Sequence, residues 1–189
     1  MTPTVKKALH YCVFLLVLGI LCGGLLALVN SFTSERIAAY QEQLVQQELK
    51  AIFGEDSQFP TVAKPEGTAK EINNIYHWID AEGNLKAVVY KVTTSGYGGD
   101  IISIIAFSTD DNKVLGFKVV SASAETRGNA TEFDFGFVGQ DGMGSLSYNN
   151  MSGASVTSAA VGKGATIASS HFKVHKDVLS QVGGTNNGN

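Results

Sequence analysis

The sequence predicts an α+β protein: an N-terminal transmembrane helix followed by one domain with helices packed on an antiparallel sheet. Three observations carry this. An uncharged apolar run covers residues 11–29, two hairpin patterns follow one another in the middle of the chain, and a helical tendency returns near the end. Helices gathered around consecutive hairpins are the pattern of the α+β class.

The apolar run is flanked by Lys6 and Lys7 before it and by Glu35 and Arg36 after it. A bilayer core of ~30 Å needs about 20 such residues in a helix. A cleaved signal peptide is the rival reading, but its apolar region is typically about 7–15 residues and ends near a small-x-small site. Leu21 stands where a lipoprotein signal would want a small residue before Cys22. An uncleaved, single-pass anchor in the cytoplasmic membrane is therefore expected. The basic residues before it favour an inside N-terminus, so the following domain is expected on the periplasmic or extracellular face. The expected division is 1–31 for the cytoplasmic N-terminus and anchor, 32–182 for the exported domain, and 183–189 for a flexible tail.

Two of the 14 basic residues, Lys6 and Lys7, precede the apolar run, and all 17 acidic residues follow it. The exported part thus carries about −5 with unperturbed side chains. That argues against a nucleic-acid partner, which calls for a basic surface. Both cysteines, Cys12 and Cys22, lie in the apolar run, so the domain has no disulfide and no cysteine metal site.

Residues 34–53 read as a helix, with Ile37, Leu44, Val45, Leu49, Ile52 and Phe53 at roughly helical spacing. It is expected to continue the membrane helix as a stalk. Residues 54–67 hold Pro60 and Pro65 and read as a loop. "NIYHWIDAEGNLKAVVYKVTT" has two β-rich runs around a polar turn at 81–84. After "SGYGG", the stretch "DIISIIAFSTDDNKVLGFKVVSAS" repeats the pattern around Asp110, Asp111 and Asn112. Residues 125–150 show little periodicity and are expected to be long loops with short elements. Helical tendency returns over 157–181, weakened by Gly162 and Gly164.

Nucleophilic hydrolysis needs a base beside a nucleophile. The histidines offer little: His171 and His175 stand four apart on the last predicted helix, a solvated face being the expected reading, and the HExxH glutamate is missing. "GKGAT" lacks the first glycine and the Ser/Thr of a P-loop, and "GYGGDI" lacks the third glycine of GxGxxG. No self-sufficient catalytic set emerges.

"NNMSGASVTSAAV", residues 149–161, is the remaining candidate. Ser152, Gly153, Ala154 and Ser155 lie just before a helical segment, where free backbone N–H groups face an anion. Gly153 and Ala154 leave access open, and Ser155, Thr157 and Ser158 supply hydroxyls. A Ser/Thr N-cap that simply begins a helix is the commoner outcome of such a pattern.

This segment resembles the flavinylation motif, approximately Asp-x-x-Ser/Thr-Gly-Ala-Thr/Ser followed by x-Thr-Ser, of the membrane-anchored FMN-binding subunits of ion-pumping redox complexes. Such subunits occur in the Rnf complex and in the sodium-pumping NADH:quinone oxidoreductase. "GYGGDIISIIAFSTDDNKVLGFKVVSASAETRGNA" is similar to the family's glycine turn, its two strands and its Glu-Thr-x-Gly loop, and the anchor running into "SFTSERIAAYQ" fits too. The resemblance implies an FMN-binding domain and an electron-carrier subunit of an ion-translocating complex. The compact linker leans towards the Rnf type, which connects ferredoxin and NAD. It implies FMN esterified through its phosphate to Ser155 by a separate flavin transferase. Ser152, Gly153, Ala154, Thr157 and Ser158 would lie around the cofactor. Glu125 and Thr126, with Gly98 and Gly99 of the glycine turn, are candidates to line the site. The other members of the redox-driven pump are the implied partners. Three positions depart from the pattern: Asn149 stands for Asp, Ser155 for Thr, and Arg127 where proline is common. Attachment at Thr157, noncovalent flavin, and a flavin-free interaction domain stay open as alternatives, and so does the quinone-reductase type.

Overall fold

The computed structural model describes residues 3–122 and 129–180. In chain order the elements are α1 (Pro3–Phe53), β1 (Thr61–Val62), β2 (Ile72–Ile79), β3 (Leu85–Ser95), β4 (Asp100–Ser108), β5 (Val114–Ser121) and α2 (Ser155–Leu179). The chain divides into two compact units, Met1–Gln43 and Leu44–Asn189.

The first unit is helical from Pro3 onwards, and its side chains from Leu9 to Ser34 are exposed. It holds an 18-residue window of mean hydropathy 2.9, none of it buried, long and apolar enough to cross a membrane.

The second unit is built on a five-stranded meander, β1-β2-β3-β4-β5, with every neighbouring pair antiparallel. The α+β architecture predicted from the sequence is the one observed. Side chains alternate across a strand, so the β3–β4 register sorts them onto two faces. Val88↔Phe107, Tyr90↔Ile105 and Val92↔Ser103 point to one side, and Ala87↔Ser108, Val89↔Ala106 and Lys91↔Ile104 to the other. The first face joins Val161, Ala165, Ala168 and Phe172 of α2 in a core with Phe135 and Phe137. The second meets Val45 and Leu49 of the last turns of α1. Antiparallel strands commonly leave one face in water. Here both faces of β3 and β4 are covered, which is why "AVVYKV" and "IISIIAF" read as apolar runs broken only by Lys91 and Ser103.

The turns follow from local chemistry. The Asp80 carboxylate accepts the Asn84 N–H at 2.7 Å, and Gly83 takes the left-handed conformation that closes the turn. At the β4–β5 turn Ser108 Oγ accepts the N–H groups of Asp110 and Asp111, and Asn112 adopts φ 62°. Residues 54–67, expected to be a loop, contribute the short strand β1, and Pro60 O accepts the His77 N–H beside it. A two-residue strand between prolines is a typical blunted sheet edge.

Residues 129–154 form a loop without regular strands, as expected, yet it is tied down. Val114 N–H donates to Gln140 O and Gly139 N–H to Val114 O, extending the ladder past β5. The Gln140 amide donates to Gly136 O and Ser147 O, and its oxygen accepts the Ser147 N–H.

Gly162 and Gly164, expected to weaken the last helix, instead lie within an unbroken α2. They are points of close approach. A methyl group on Gly162 would collide with the Tyr148 ring, whereas one on Gly164 would lie 3.3 Å from Thr94 and 3.4 Å from Val92. Alanine gains about 1 kcal/mol of helix propensity over glycine at either place. Overpacking costs about 1–3 kcal/mol where a neighbour must be displaced. Gly162→Ala is therefore expected to be the less stable of the two by about 1–3 kcal/mol in urea unfolding. Equal midpoints would refute the packing role of Gly162.

Candidate functional site

The segment leading into α2 is a turn whose shape is set by one glycine. Gly153 sits at φ 74°, where a side chain would be strained, with nothing within 4 Å of the place a Cβ would occupy. Ala154 N–H donates to Met151 O at 3.1 Å, closing the turn. Ala154 itself is the N-cap, and no side chain caps the helix. The Ser/Thr cap that such a sequence commonly provides is thus not made. The first N–H groups of a helix have no acceptor within it. Here Ser158 N–H bonds back to Ala154 O, and those of Ser155 and Val156 precede it at the positive end of the helix dipole.

Helical periodicity then separates the hydroxyls. Ser152 and Ser155 are exposed. Thr157 is 2% exposed and Ser158 0%, both on the side of α2 that faces the core. Ser158 Oγ accepts the Met151 N–H at 2.9 Å and donates to Ala154 O at 3.1 Å.

Asn149 anchors the other end of the segment. Its N–H donates to Phe135 O at 2.9 Å and its Nδ2 to Asp134 O at 3.2 Å. Gly136, at φ 75°, leaves room for the amide, since a Cβ there would lie 2.8 Å from Asn149 Nδ2. An aspartate cannot donate this bond, so the departure from Asp at the first motif position has a local structural partner.

Gly96 N–H donates to Gly99 O at 2.7 Å, which closes the β3–β4 turn and leaves Tyr97 75% exposed. Gly164 packs on Val92 and Thr94, and His171 on Tyr90, so α2 runs opposite to β3. From Gly164 back to Ser155 the helix advances about 13 Å, or about four strand residues. Gly98 and Gly99 therefore share one end of the sheet with Ser155. Glu125 and Thr126 lie outside the described residues.

The sequence pattern did not single out an aromatic group beside this segment. Phe117 of β5 packs against Phe137 with ring centroids 4.6 Å apart, and Phe133 against Phe135 at 4.9 Å. With Lys118, Glu132 and Asp134 they border a cleft of about 190 Å³. The signal was present in "FDFGF", where phenylalanine recurs at every second position, 133, 135 and 137. A second cleft, about 330 Å³, lies between Met143–Leu146 and Thr166, Ser169 and Lys173.

His171, expected on a solvated helix face, is instead 8% exposed. Thr68 donates its hydroxyl hydrogen to Pro65 O at 2.6 Å, which leaves its oxygen to accept from His171 Nε2 at 2.9 Å. Nδ1 then accepts from the Tyr90 hydroxyl at 3.2 Å. Burial, reinforced by neighbouring His175, lowers the His171 pKa to about 4, and burial keeps the Tyr90 phenol protonated. His77 donates from Nε2 to Leu179 O at 2.7 Å, tying the end of α2 to β2; burial lowers its pKa too. Among the described residues no group of three or more His, Cys, Asp or Glu is placed to hold a metal.

Two outcomes follow. Both histidines titrate below the unfolded value of 6.5, so the unfolded chain takes up their protons first. Their contribution to stability is full above about pH 6.5 and is lost as the pH falls towards about 4, the folded His171 value. Urea midpoints should drop over that window, and His171→Gln should flatten the drop; an unchanged slope would remove His171 from the linkage. Asn149→Asp loses a hydrogen bond and sets a carboxylate against Asp134 O, costing about 1 kcal/mol in the same assay. Wild-type stability in that variant would show the amide bond to be idle.

Comparison with known proteins bears on this end of the molecule. No curated protein matches the chain. A protein-family model described as FMN-binding domain matches residues 96–170, from the glycine turn through β4, β5 and the phenylalanine loop into α2. The matched segment contains Gly98, Gly99 and the whole Ser152–Ser158 turn, so the second unit carries a region similar to FMN-binding domains.

Proposed function

We propose that the protein is a membrane-anchored electron carrier whose FMN is joined through its phosphate to Ser155. The observation that carries this reading is the sorting of hydroxyls at the start of α2. Ser155 is exposed at the first helical position, whereas Thr157 and Ser158 are buried. The residues fit an esterified phosphate. A phosphodiester keeps one negative charge, and the N–H groups of Ser155 and Val156 supply the positive end of a helix to receive it. Gly153 leaves the approach clear of any side chain. The flavin, when bound, supplies electron transfer. Ser155 fixes it covalently, the turn and Gly98–Gly99 border it, and the buried hydroxyls hold the protein around it.

Attachment requires a flavin transferase and a flavin nucleotide activated at its phosphate. Ser155 Oγ gives up its proton and forms the new O–P bond, while the bond from phosphorus to the nucleotide leaving group breaks and that group departs with the electron pair. The apolar window of α1 serves as the membrane anchor, with Lys6 and Lys7 favouring an inside N-terminus and the flavin domain outside the cytoplasm. Electrons would pass between partner proteins of an Rnf-type complex, ion transport being a property of the whole assembly.

Co-expression with a flavin transferase, followed by a denaturing gel, tests the reading. The wild-type band should fluoresce, peptide mass analysis should place FMN on Ser155, and Ser155→Ala should be dark while Thr157→Val keeps its flavin. A dark wild-type band with an active transferase, or a fluorescent Ser155→Ala band, overturns it.

A further inference from the structure

Ser158 belongs to the sequence motif, yet its geometry does not suit a cofactor contact. Its side chain is 0% exposed. Its one hydroxyl hydrogen goes to Ala154 O and a lone pair receives the Met151 N–H. A hydroxyl has one donor and two acceptor sites, so the donor is spent inside the protein. We infer that Ser158 is a positioning residue for flavin attachment, a buried latch that closes the Met151–Ala154 turn and so holds Ser155 outward; the inference rests on the attachment to Ser155 proposed above.

The latch works from both ends of the turn. Met151 is held at its N–H by Ser158 Oγ and at its carbonyl by the Ala154 N–H. Ala154 is held at its N–H by Met151 O and at its carbonyl by both the N–H and the hydroxyl of Ser158. What remains outside the bracket is Ser152 and Gly153, both exposed, and then Ser155. Met151 is itself 6% exposed and Ala154 7%, so the bonded groups are shielded from competing water. Without the Ser158 hydroxyl the Met151 N–H is a shielded donor with no acceptor, and the turn that aims Ser155 loses its second tie. The side chain that ties the turn is thus one turn inside the helix and bonds backwards to it, leaving the first N–H groups of α2 uncapped.

The test compares four full-length proteins in detergent: wild type, Ser158→Ala, Ser158→Thr and Val161→Ala. Val161 is 0% exposed and fills the core, so its truncation supplies a destabilised control outside the turn. Each is confirmed folded by circular dichroism, then given saturating transferase and activated flavin nucleotide. Misplacing a reacting group by about 1 Å costs up to about 100-fold in rate. Ser158→Ala should attach flavin at least about tenfold more slowly than Val161→Ala, and Ser158→Thr, which keeps the hydroxyl, should recover most of the rate. Independently of any flavin, amide exchange at Met151 should quicken about tenfold in Ser158→Ala but not in Val161→Ala, as expected for one lost hydrogen bond. Equal attachment rates in Ser158→Ala and Val161→Ala, or unchanged Met151 exchange, overturn the latch. A wild type that takes no flavin overturns the covalent attachment itself, and the latch's role in it, whereas a bright wild type with an equally fast Ser158→Ala overturns the latch alone.

Discussion

The structure of the second unit depends on covering both faces of one antiparallel hairpin. β3 and β4 send Tyr90, Val92, Ile105 and Phe107 to α2, and Val89, Ile104 and Ala106 to the last turns of α1. Burying a large aliphatic or aromatic side chain contributes about 1.5–3 kcal/mol, so each helix is held by several such contacts and neither face of the hairpin stays wet. That double burial fixes register, because a slip by one residue would exchange the two sets of side chains. It also fixes α2 lengthwise. Phe172 stacks on Phe107 at 4.9 Å, His171 bonds Tyr90, and His77 holds the final carbonyl. With its C-terminal half locked to the sheet, the helix can present its first turn at one defined place.

The two long hairpins were legible because their strands are β-branched runs separated by turn residues with a mechanism: Asp80 and Gly83 at one turn, Asn112 at the other. The motif turn was legible from its small residues. What the sequence pattern concealed were features decided by tertiary contact. β1 has only two residues and exists because β2 offers an open edge. His171 and His175 share a helical spacing in the sequence, but the sheet buries only His171 deeply, and Thr68, 103 residues earlier, supplies its partner. Gly162 and Gly164 look like helix breakers until Tyr148 occupies the space a side chain at 162 would need and Thr94 and Val92 close in on 164. The phenylalanine alternation at 133–137 was visible in principle, and its use as a wall against Phe117 required the loop to fold back over β5.

The same periodicity that buries α2 decides which hydroxyl stays exposed at its start. In a run of Ser155, Thr157 and Ser158, positions 157 and 158 fall on the face that continues through Val161, Ala165, Ala168 and Phe172. Ser155 falls outside it. Composition alone treats the three as equivalent; the helix leaves one on the surface and makes another a backbone tie. The polar residues buried beside the core then have a cost, since a buried hydroxyl without a partner is unfavourable. Ser158 meets that cost by bonding Met151 and Ala154. Stability and presentation are therefore not separate requirements at this turn. The bond that makes Ser158 tolerable in the core is also the bond that shapes the approach to Ser155. A serine in place of threonine at 155 leaves that arrangement untouched, because the oxygen stands at the first helical position whether or not a methyl group accompanies it.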